Sequence, residues 1–236
     1  MGDLMKLLVS DYDLTLNVMD YDVRFNLYAI NKFRKNGNMF FLNTGRSYES
    51  IKREINKYRI NYDYLGCCDG NLVLNRNNDI VYCNNLSKSI LSEINSLRDE
   101  FDFKVNEVCY KNNVLEYEIR VIENEIFDRN LREIAIKNDL LVSKFTIPVI
   151  KNYKFRKISI YFLYDKKINK SYATDYISKL ENIEKCDIFT IGDNHNDYEM
   201  IRDYNGYTFT WGKKEVKDVS DGKVLSVASL VKKIMR

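Results

Sequence analysis

The sequence predicts an α/β protein built on a doubly wound parallel sheet, with an α+β domain inserted into it. Short apolar runs of strand length alternate with segments whose apolar residues recur at helical spacing, which favours a parallel sheet. From residue 77 to residue 168 the pattern changes to short alternating segments, which are typical of antiparallel strands. After residue 168 the first pattern returns, so both ends of the chain are predicted to form the sheet.

The first part of the core, residues 1–76, is predicted to contain three strands and two helices. Residues 6–10 and the run MFFL at 39–42 are the first two strands. The helix between them carries its apolar residues at helical spacing, on a face formed by Val23, Leu27, Ile30 and Phe33. Ser47 is expected to cap the second helix. The segment YDYLGCCDG is predicted to be a third strand that ends at the turn pair Asp69–Gly70.

The insertion, residues 77–168, is predicted to be a separate α+β domain. The segments IVYC, VLEYEIRV and KISIYF have the composition and alternation of strands. One helical pattern includes Ile90, Leu91, Ile94 and Leu97, and a weaker one covers residues 126–140.

The core is predicted to resume at residue 169 and to continue to residue 236. A helix whose apolar face is formed by Ala173, Tyr176, Ile177 and Leu180 precedes the buried strand DIFTI. Apolar residues at helical spacing then predict a closing helix that contains Val227, Leu230, Val231 and Ile234.

Composition and charge exclude several classes of protein. The 37 basic and 34 acidic residues give a net charge of +3, which is too small to indicate a nucleic-acid or membrane partner. The N-terminal segment MGDLMKLL has no secretory signal, and we expect a cytoplasmic protein with no obligate protein partner. Five cysteines without C-x-x-C spacing make a disulfide framework or a zinc site unexpected.

Polar side chains follow three of the predicted buried strands. Asp11, Asp13 and Thr15 follow the first strand, Asn43–Arg46 follows the second, and Gly192–Asp197 follows DIFTI. The carboxyl ends of parallel strands lie along one edge of a sheet, where ligands bind. Neighbouring carboxylates repel one another, and a divalent cation removes that repulsion. Carboxylates of Asp11 and Asp193, with the backbone carbonyl of Asp13, therefore predict a Mg²⁺ site.

The remaining residues at this edge are suited to a phosphoryl group. Asn43, Thr44 and nearby backbone amides can donate hydrogen bonds to phosphate oxygens. A lysine is expected to balance the charge that develops on those oxygens. Lys170, at the start of the helix after the insertion, is favoured over Lys157, which lies within the predicted strand KISIYF.

In this order, the motifs DYDLT, NTGR, a lysine that opens a helix, and GDNHND resemble the four motifs of the haloacid dehalogenase-like (HAD) phosphatases. The sequence is most similar to the Cof-type branch, whose C2-type cap is inserted after the third strand. The resemblance covers the whole core and implies a Rossmann-like fold for it. The pair DYDLT and GDNHND, separated by NTGR, is the specific part of the resemblance.

The resemblance implies a role for each residue of the motifs. Asp11 would be the nucleophile that forms an aspartyl-phosphate, and Asp13 would act as the acid and then as the base. Thr44 and Lys170 would hold the phosphoryl oxygens. Asp193 would complete the Mg²⁺ site, and Asp197 would be an additional ligand or would support the ligands from behind. Asn196 would bridge the last loop and the phosphate. Arg46 is predicted to bind the substrate, with a purely structural contact as the alternative. A substrate-selecting cap would close over the core.

The implied activity is Mg²⁺-dependent hydrolysis of a small phosphorylated metabolite, with a sugar phosphate as the expected substrate. An Asp at position 13 favours phosphate esters, because carbon–halogen hydrolases of this superfamily lack that residue. Two alternatives stay open: phosphotransfer, as in phosphomannomutases, and a phosphometabolite-binding protein without turnover. His195, the only histidine, is expected to be incidental.

The sequence departs from the resembling family at three places. Leu14 stands where many relatives have Gly, and CCDGN stands where Cof-type relatives often have Asn-Gly-Ala. The segment TWGKKEV at 210–216 replaces a common Gly-Asn-Ala stretch.

Overall fold

The computed structural model describes residues 5–20, 22–151 and 154–235. Residues 1–4, the start of the segment in which no secretory signal was expected, lie outside the described residues. In chain order the strands are β1 (Leu7–Ser10), β2 (Met39–Asn43), β3 (Tyr64–Cys67), β4 (Leu72–Asn75), β5 (Ile80–Cys83), β6 (Phe103–Tyr110), β7 (Asn113–Ile122), β8 (Leu140–Lys151), β9 (Lys154–Asp165), β10 (Ile188–Ile191), β11 (Asn205–Thr208) and β12 (Gly222–Lys223). The helices are α1 (Asp22–Lys35), α2 (Tyr48–Tyr58), α3 (Lys88–Asn95), α4 (Glu125–Lys137), α5 (Lys170–Glu181), α6 (Tyr198–Asp203), α7 (Lys214–Val219) and α8 (Val227–Ile234).

The chain forms two compact units, residues 1–82 with 168–236, and residues 83–167. The insertion therefore begins six residues later than the predicted 77–168 (83 − 77 = 6). The reason is that β5, the segment IVYC, forms the edge strand of the core sheet instead of belonging to the insertion.

The core unit is an eight-stranded sheet with the order β12-β11-β10-β1-β2-β3-β4-β5. The pairs from β12 to β3 are parallel, and β4 runs antiparallel to β3. This α/β architecture with a parallel sheet confirms the predicted fold class. Strands β1 and β2 are almost wholly buried, as their continuous apolar sequences predict.

Helices of the core unit bury most of the predicted apolar faces, although Leu180, predicted on the apolar face of α5, is half-exposed. In α1 the buried side chains include Val23, Leu27, Ile30 and Phe33. Helix α5 buries Ala173 and Ile177, and α8 buries all four of its predicted apolar residues. Ser47 lies at the N-cap position of α2, although its side chain makes no capping hydrogen bond.

The inserted unit is a four-stranded antiparallel sheet with the order β6-β7-β9-β8. Helices α3 and α4 pack through Ile90, Ile94, Phe127 and Leu131 into one cluster with the sheet residue Tyr161. This unit thus has a hydrophobic core of its own. Among the described residues, no helix is both long and apolar enough to cross a membrane.

Candidate active site

A cleft of about 250 Å³ opens at the carboxyl ends of β1, β2 and β10 in the core unit. Because β1 lies between β2 and β10 and is parallel to both, the loops that follow the three strands meet there. The residues that line the cleft are Asp11, Asp13, Leu14, Thr44, Gly45, Arg46, Asp193, Asn194 and Asn196.

Asp11 follows β1 directly and is buried at the base of the cleft. Its backbone N–H donates to the carbonyl of Ile191 in β10, 3.0 Å away, which fixes the start of the loop. Its carboxylate Oδ1 accepts a hydrogen bond from Nζ of Lys170 at 2.6 Å. Burial raises the pKa of Asp11 to about 8; Lys170 opposes this shift and Asp197 adds to it.

Lys170 is the first residue of α5, and its side chain is fully buried. Asn169 caps the helix by accepting a hydrogen bond from the backbone N–H of Tyr172, so Lys170 is held in the first turn. Its ammonium contacts Asp11 and also Asp197 Oδ1 at 2.7 Å. Burial lowers the pKa of Lys170, but these carboxylates outweigh it and raise the pKa overall.

Lys170 thus lies behind Asp11 and does not line the cleft. The alternative lysine, Lys157, lies in β9 of the inserted unit and pairs with Glu123 at 3.7 Å.

Asp193 and Asp197 belong to the loop after β10. Asp193 Oδ1 accepts a hydrogen bond from the hydroxyl of Thr15 at 2.9 Å, which links this loop to the loop after β1. Asp197 is fully buried, and its Oδ2 accepts from the backbone N–H groups of Asp193 and Asn194 at 2.9 and 3.0 Å. A Cβ at Gly192 would lie 2.3 Å from Cγ of Asp197, so only glycine allows this close approach.

Three buried carboxylates form a group that fits a hard cation. One oxygen from each of Asp11, Asp193 and Asp197 lies within 4.8 Å of the other two. Burial raises the pKa of Asp193 as well as that of Asp11, because it disfavours the charged form of a carboxyl group. An all-oxygen donor set of this kind suits Mg²⁺. Asp13 is predicted to contribute its backbone carbonyl, and its carboxylate is not part of this group of three.

Asp13 lines the cleft, but its carboxylate is held by Arg46. The guanidinium of Arg46 donates to both oxygens, from Nε at 2.7 Å and from Nη2 at 2.6 Å. It also lies 3.6 Å from Glu54 and 5.0 Å above the ring of Tyr12. In this structure Arg46 is therefore bound to the predicted acid.

The loop after β2 contributes Thr44 and Gly45 to the cleft. Thr44 is buried, and its Oγ1 accepts from the backbone N–H of Arg46 at 3.2 Å. Asn43, predicted to contact phosphate, is fully buried and donates from Nδ2 to the carbonyl of Lys170 at 3.0 Å. The structure thus brings Thr44 to the cleft and places Asn43 below it, against the start of α5.

The model of the haloacid dehalogenase-like hydrolase family matches residues 8–157 and 135–228. The chain belongs to this family. The matched segments include both sides of the cleft, Asp11–Arg46 and Asp193–Asn196. A comparison of the sequence with curated proteins finds no significant match.

Solved structures of other proteins share the fold of this hydrolase at low sequence identity. A phosphatase of the haloalkanoate (HAD) enzyme superfamily from Bacteroides thetaiotaomicron is 15% identical, with a TM-score of 0.72 over 98% of this chain and 94% of that chain. A HAD/Cof-like hydrolase from Plasmodium vivax is 16% identical, with a TM-score of 0.69 over 98% and 95% of the two chains. A HAD subclass IIB sugar phosphatase is 13% identical, with a TM-score of 0.69 over 98% of each chain.

Asp69 is a further acidic residue near the cleft. It belongs to the predicted turn and to the segment CCDGN, and no functional role was predicted for it. Its Oδ1 accepts from Nδ2 of Asn196 at 2.8 Å and lies 3.9 Å from Nζ of Lys170. Burial raises the pKa of Asp69, and Lys170 opposes the shift. Its backbone N–H donates to the carbonyl of Thr44 at 3.1 Å. The only sequence signal was an acidic residue at a strand end beside the other motifs.

His195 contacts Glu215 rather than a residue that lines the cleft. Its Nδ1 pairs with a carboxylate oxygen of Glu215, and its side chain is largely exposed. It does not line the cleft, although the residues on both sides of it, Asn194 and Asn196, do.

Proposed function

We propose that this hydrolase is a Mg²⁺-dependent phosphomonoesterase that acts through an aspartyl-phosphate on Asp11. The observation that carries the proposal is the position of the Asp11 carboxylate. It lies at the base of a polar cleft, 2.6 Å from a buried lysine and within 4.8 Å of two further carboxylates. A nucleophile that attacks a negatively charged phosphate ester needs such compensation of charge.

Asp11, Asp193 and Asp197 would hold the cation, with the backbone carbonyl of Asp13 as a further oxygen. When bound, Mg²⁺ would neutralise charge between the carboxylate and the phosphoryl oxygens. Thr15 holds Asp193 in place for this role through its 2.9 Å hydrogen bond. Lys170 supplies a permanent positive charge behind Asp11.

In the first step the Asp11 carboxylate attacks phosphorus. Because Lys170 holds Oδ1, Oδ2 is the oxygen that forms the new P–O bond. The ester P–O bond breaks, and the leaving alkoxide takes a proton from the carboxyl group of Asp13. For Asp13 to carry that proton, one of its oxygens must leave Arg46, and its half-exposed side chain has room to turn.

In the second step water replaces the aspartate on phosphorus. The Asp13 carboxylate takes a proton from the water, whose oxygen attacks phosphorus. The bond between Asp11 and phosphorus breaks, so that the Asp11 carboxylate is regenerated and inorganic phosphate leaves. Thr44 and Asn196, which both line the cleft, would donate to the phosphoryl oxygens.

A small phosphorylated metabolite, and within that class a sugar phosphate, is the proposed substrate. The cleft is lined mainly by polar side chains and holds about 250 Å³, which accommodates a phosphoryl group rather than a macromolecule. A structurally similar protein is a sugar phosphatase. The inserted unit, residues 83–167, is the proposed cap that selects the organic part of the substrate.

The test is release of inorganic phosphate from a panel of sugar phosphates, other phosphorylated metabolites and one aryl phosphate. Each reaction is run with MgCl₂ and with EDTA. We expect Mg²⁺-dependent release, fastest with a sugar phosphate. A folded protein that releases no phosphate from any compound, with or without Mg²⁺, would refute the proposed activity.

A further inference from the structure

The segment that follows β11, a turn at residues 209–212 together with Lys213, links the two loops that carry the buried carboxylates. On one side, the backbone N–H of Lys213 donates to the carbonyl of Asp193 at 2.8 Å. On the other side, the indole Nε1 of Trp211 donates to the carbonyl of Leu14 at 3.3 Å. This segment therefore connects the loop after β10 to the loop after β1.

The indole of Trp211 is held in place by the side chain of Phe209. Its ring stacks on the ring of Phe209, with centroids 4.5 Å apart and planes inclined by 8°. Phe209 is fully buried, and its carbonyl accepts from the N–H of Gly212 at 3.2 Å, which closes the turn. The stacking on Phe209 fixes one face of the Trp211 ring. The indole N–H is therefore held in a defined position, although the side chain is half-exposed.

Leu14, whose carbonyl accepts the hydrogen bond from Trp211, has a strained backbone. Its φ is +55°, in the left-handed region that a branched side chain avoids. Leu14 lies between Asp13, the proposed acid, and Thr15, whose hydroxyl binds Asp193. A return of Leu14 to an ordinary conformation would rotate the peptides on both sides of it and move both neighbours.

We propose that Trp211 is a positioning residue of the cation site. By binding the carbonyl of Leu14, it stabilises the left-handed conformation there and keeps Asp11 and Asp193 at the separation that a cation needs. Leu14 and the segment TWGKKEV are two of the places where the sequence departs from its family, and this contact joins them. The inference rests on the proposed function in taking Mg²⁺ as the cation.

The test is Mg²⁺ binding to the whole protein, measured by titration calorimetry without substrate. Trp211→Phe keeps an aromatic ring to stack on Phe209 but removes the N–H donor. We expect Mg²⁺ to bind about threefold to tenfold more weakly, as the loss of one hydrogen bond predicts. Thr210→Ala is the matched control, because Thr210 is exposed in the same turn; it should bind Mg²⁺ as the wild type does.

A second variant separates positioning from general loosening of the fold. Glycine adopts positive φ without strain, so Leu14→Gly removes the need for the contact. In the Leu14→Gly background, Trp211→Phe should weaken Mg²⁺ binding by less than about twofold. Equal weakening in both backgrounds would overturn the proposal.

Failure of this inference is distinguishable from failure of the proposed activity. Unchanged Mg²⁺ affinity in Trp211→Phe overturns the inference even if the wild type releases phosphate. Weaker binding in that variant supports it even if no substrate is hydrolysed. A wild-type protein that binds no Mg²⁺ overturns both the inference and the proposed cofactor.

Discussion

Arg46 binds both carboxylate oxygens of Asp13, with Nε at 2.7 Å and Nη2 at 2.6 Å. A bidentate pair of this kind fixes the orientation of the carboxylate as well as its charge. Arg46 is itself held, because Glu54 lies 3.6 Å from Nη1 and accepts a hydrogen bond from the hydroxyl of Tyr12. The proposed acid–base residue is thus supported by residues of the loops after β1 and β2 and of α2.

Arg46→Lys is expected to reduce activity by lowering kcat. A lysine retains the positive charge but cannot bind both oxygens at once, so Asp13 would sample unproductive orientations. We expect kcat to fall about tenfold with a smaller change in KM, measured by steady-state phosphate release. The control is Arg53→Lys, since Arg53 is exposed on the same helix as Glu54. A rise in KM alone would instead indicate that Arg46 binds the substrate.

Asp11→Asn is expected to abolish turnover and leave the fold intact. Asparagine has the shape of the protonated acid, and burial already raises the pKa of Asp11 to about 8. Lys170 keeps Asp197 as a partner at 2.7 Å. Phosphate release should fall by about a thousandfold or more, while circular dichroism and the melting temperature change little. Ordinary activity in a purified Asp11→Asn protein would contradict the mechanism.

Mg²⁺ binding is expected to strengthen as the pH rises. A carboxyl group with a raised pKa keeps its proton below that pKa, and the cation must displace the proton to bind. With the pKa of Asp11 at about 8, Mg²⁺ affinity should rise by up to about tenfold per unit from about pH 6 to about pH 8 and then level off. Calorimetry in two buffers of different ionisation enthalpy should show proton release near neutral pH. Affinity that does not vary with pH in this range would contradict the expectation.

The parallel part of the fold was predictable because β1 and β2 are buried on both faces. The continuous apolar runs of β1 and β2 carry that signal in the sequence. Adjacency of β1, β2 and β10 then follows from the polar residues at their ends, since only neighbouring strands bring Asp11, Thr44 and Asp193 together. The edge strand β5 was assigned to the insertion because its short, half-buried sequence resembles the antiparallel segments that follow it.

The finer geometry of the site depends on contacts between distant residues, which one sequence does not encode locally. The pairing of Arg46 with Asp13 joins positions 33 residues apart, and that of Lys170 with Asp11 joins positions 159 apart. Lysine is rarely buried unless it is paired with an acidic residue. The complete burial of Lys170 was not predictable, because its pairing with Asp11 and Asp197 depends on the folded structure. The left-handed conformation of Cys68 had no signal in the sequence, whereas Asp69 belongs to the predicted turn pair Asp69–Gly70.

Substitutions of Asp69 test a contact of this kind, between residues 127 positions apart in the sequence. Its carboxylate accepts a hydrogen bond from Asn196, and its φ is +53°. Asp69→Asn keeps an acceptor and a side chain that tolerates this φ, whereas Asp69→Ala keeps neither. Asp69→Asn should therefore retain kcat/KM within about threefold, and Asp69→Ala should lose about tenfold.

The two variants should also differ in stability. Alanine in the left-handed region destabilises the folded state by about 1 kcal/mol, and the amide of Asn196 loses its partner as well. Asp69→Ala should thus melt several degrees below Asp69→Asn in thermal denaturation followed by circular dichroism. If Asp69→Asn is as inactive as Asp69→Ala while melting near the wild type, the negative charge beside Lys170 matters more than the hydrogen bond to Asn196. That result would make Asp69 part of the charge balance around the buried ammonium, 3.9 Å away.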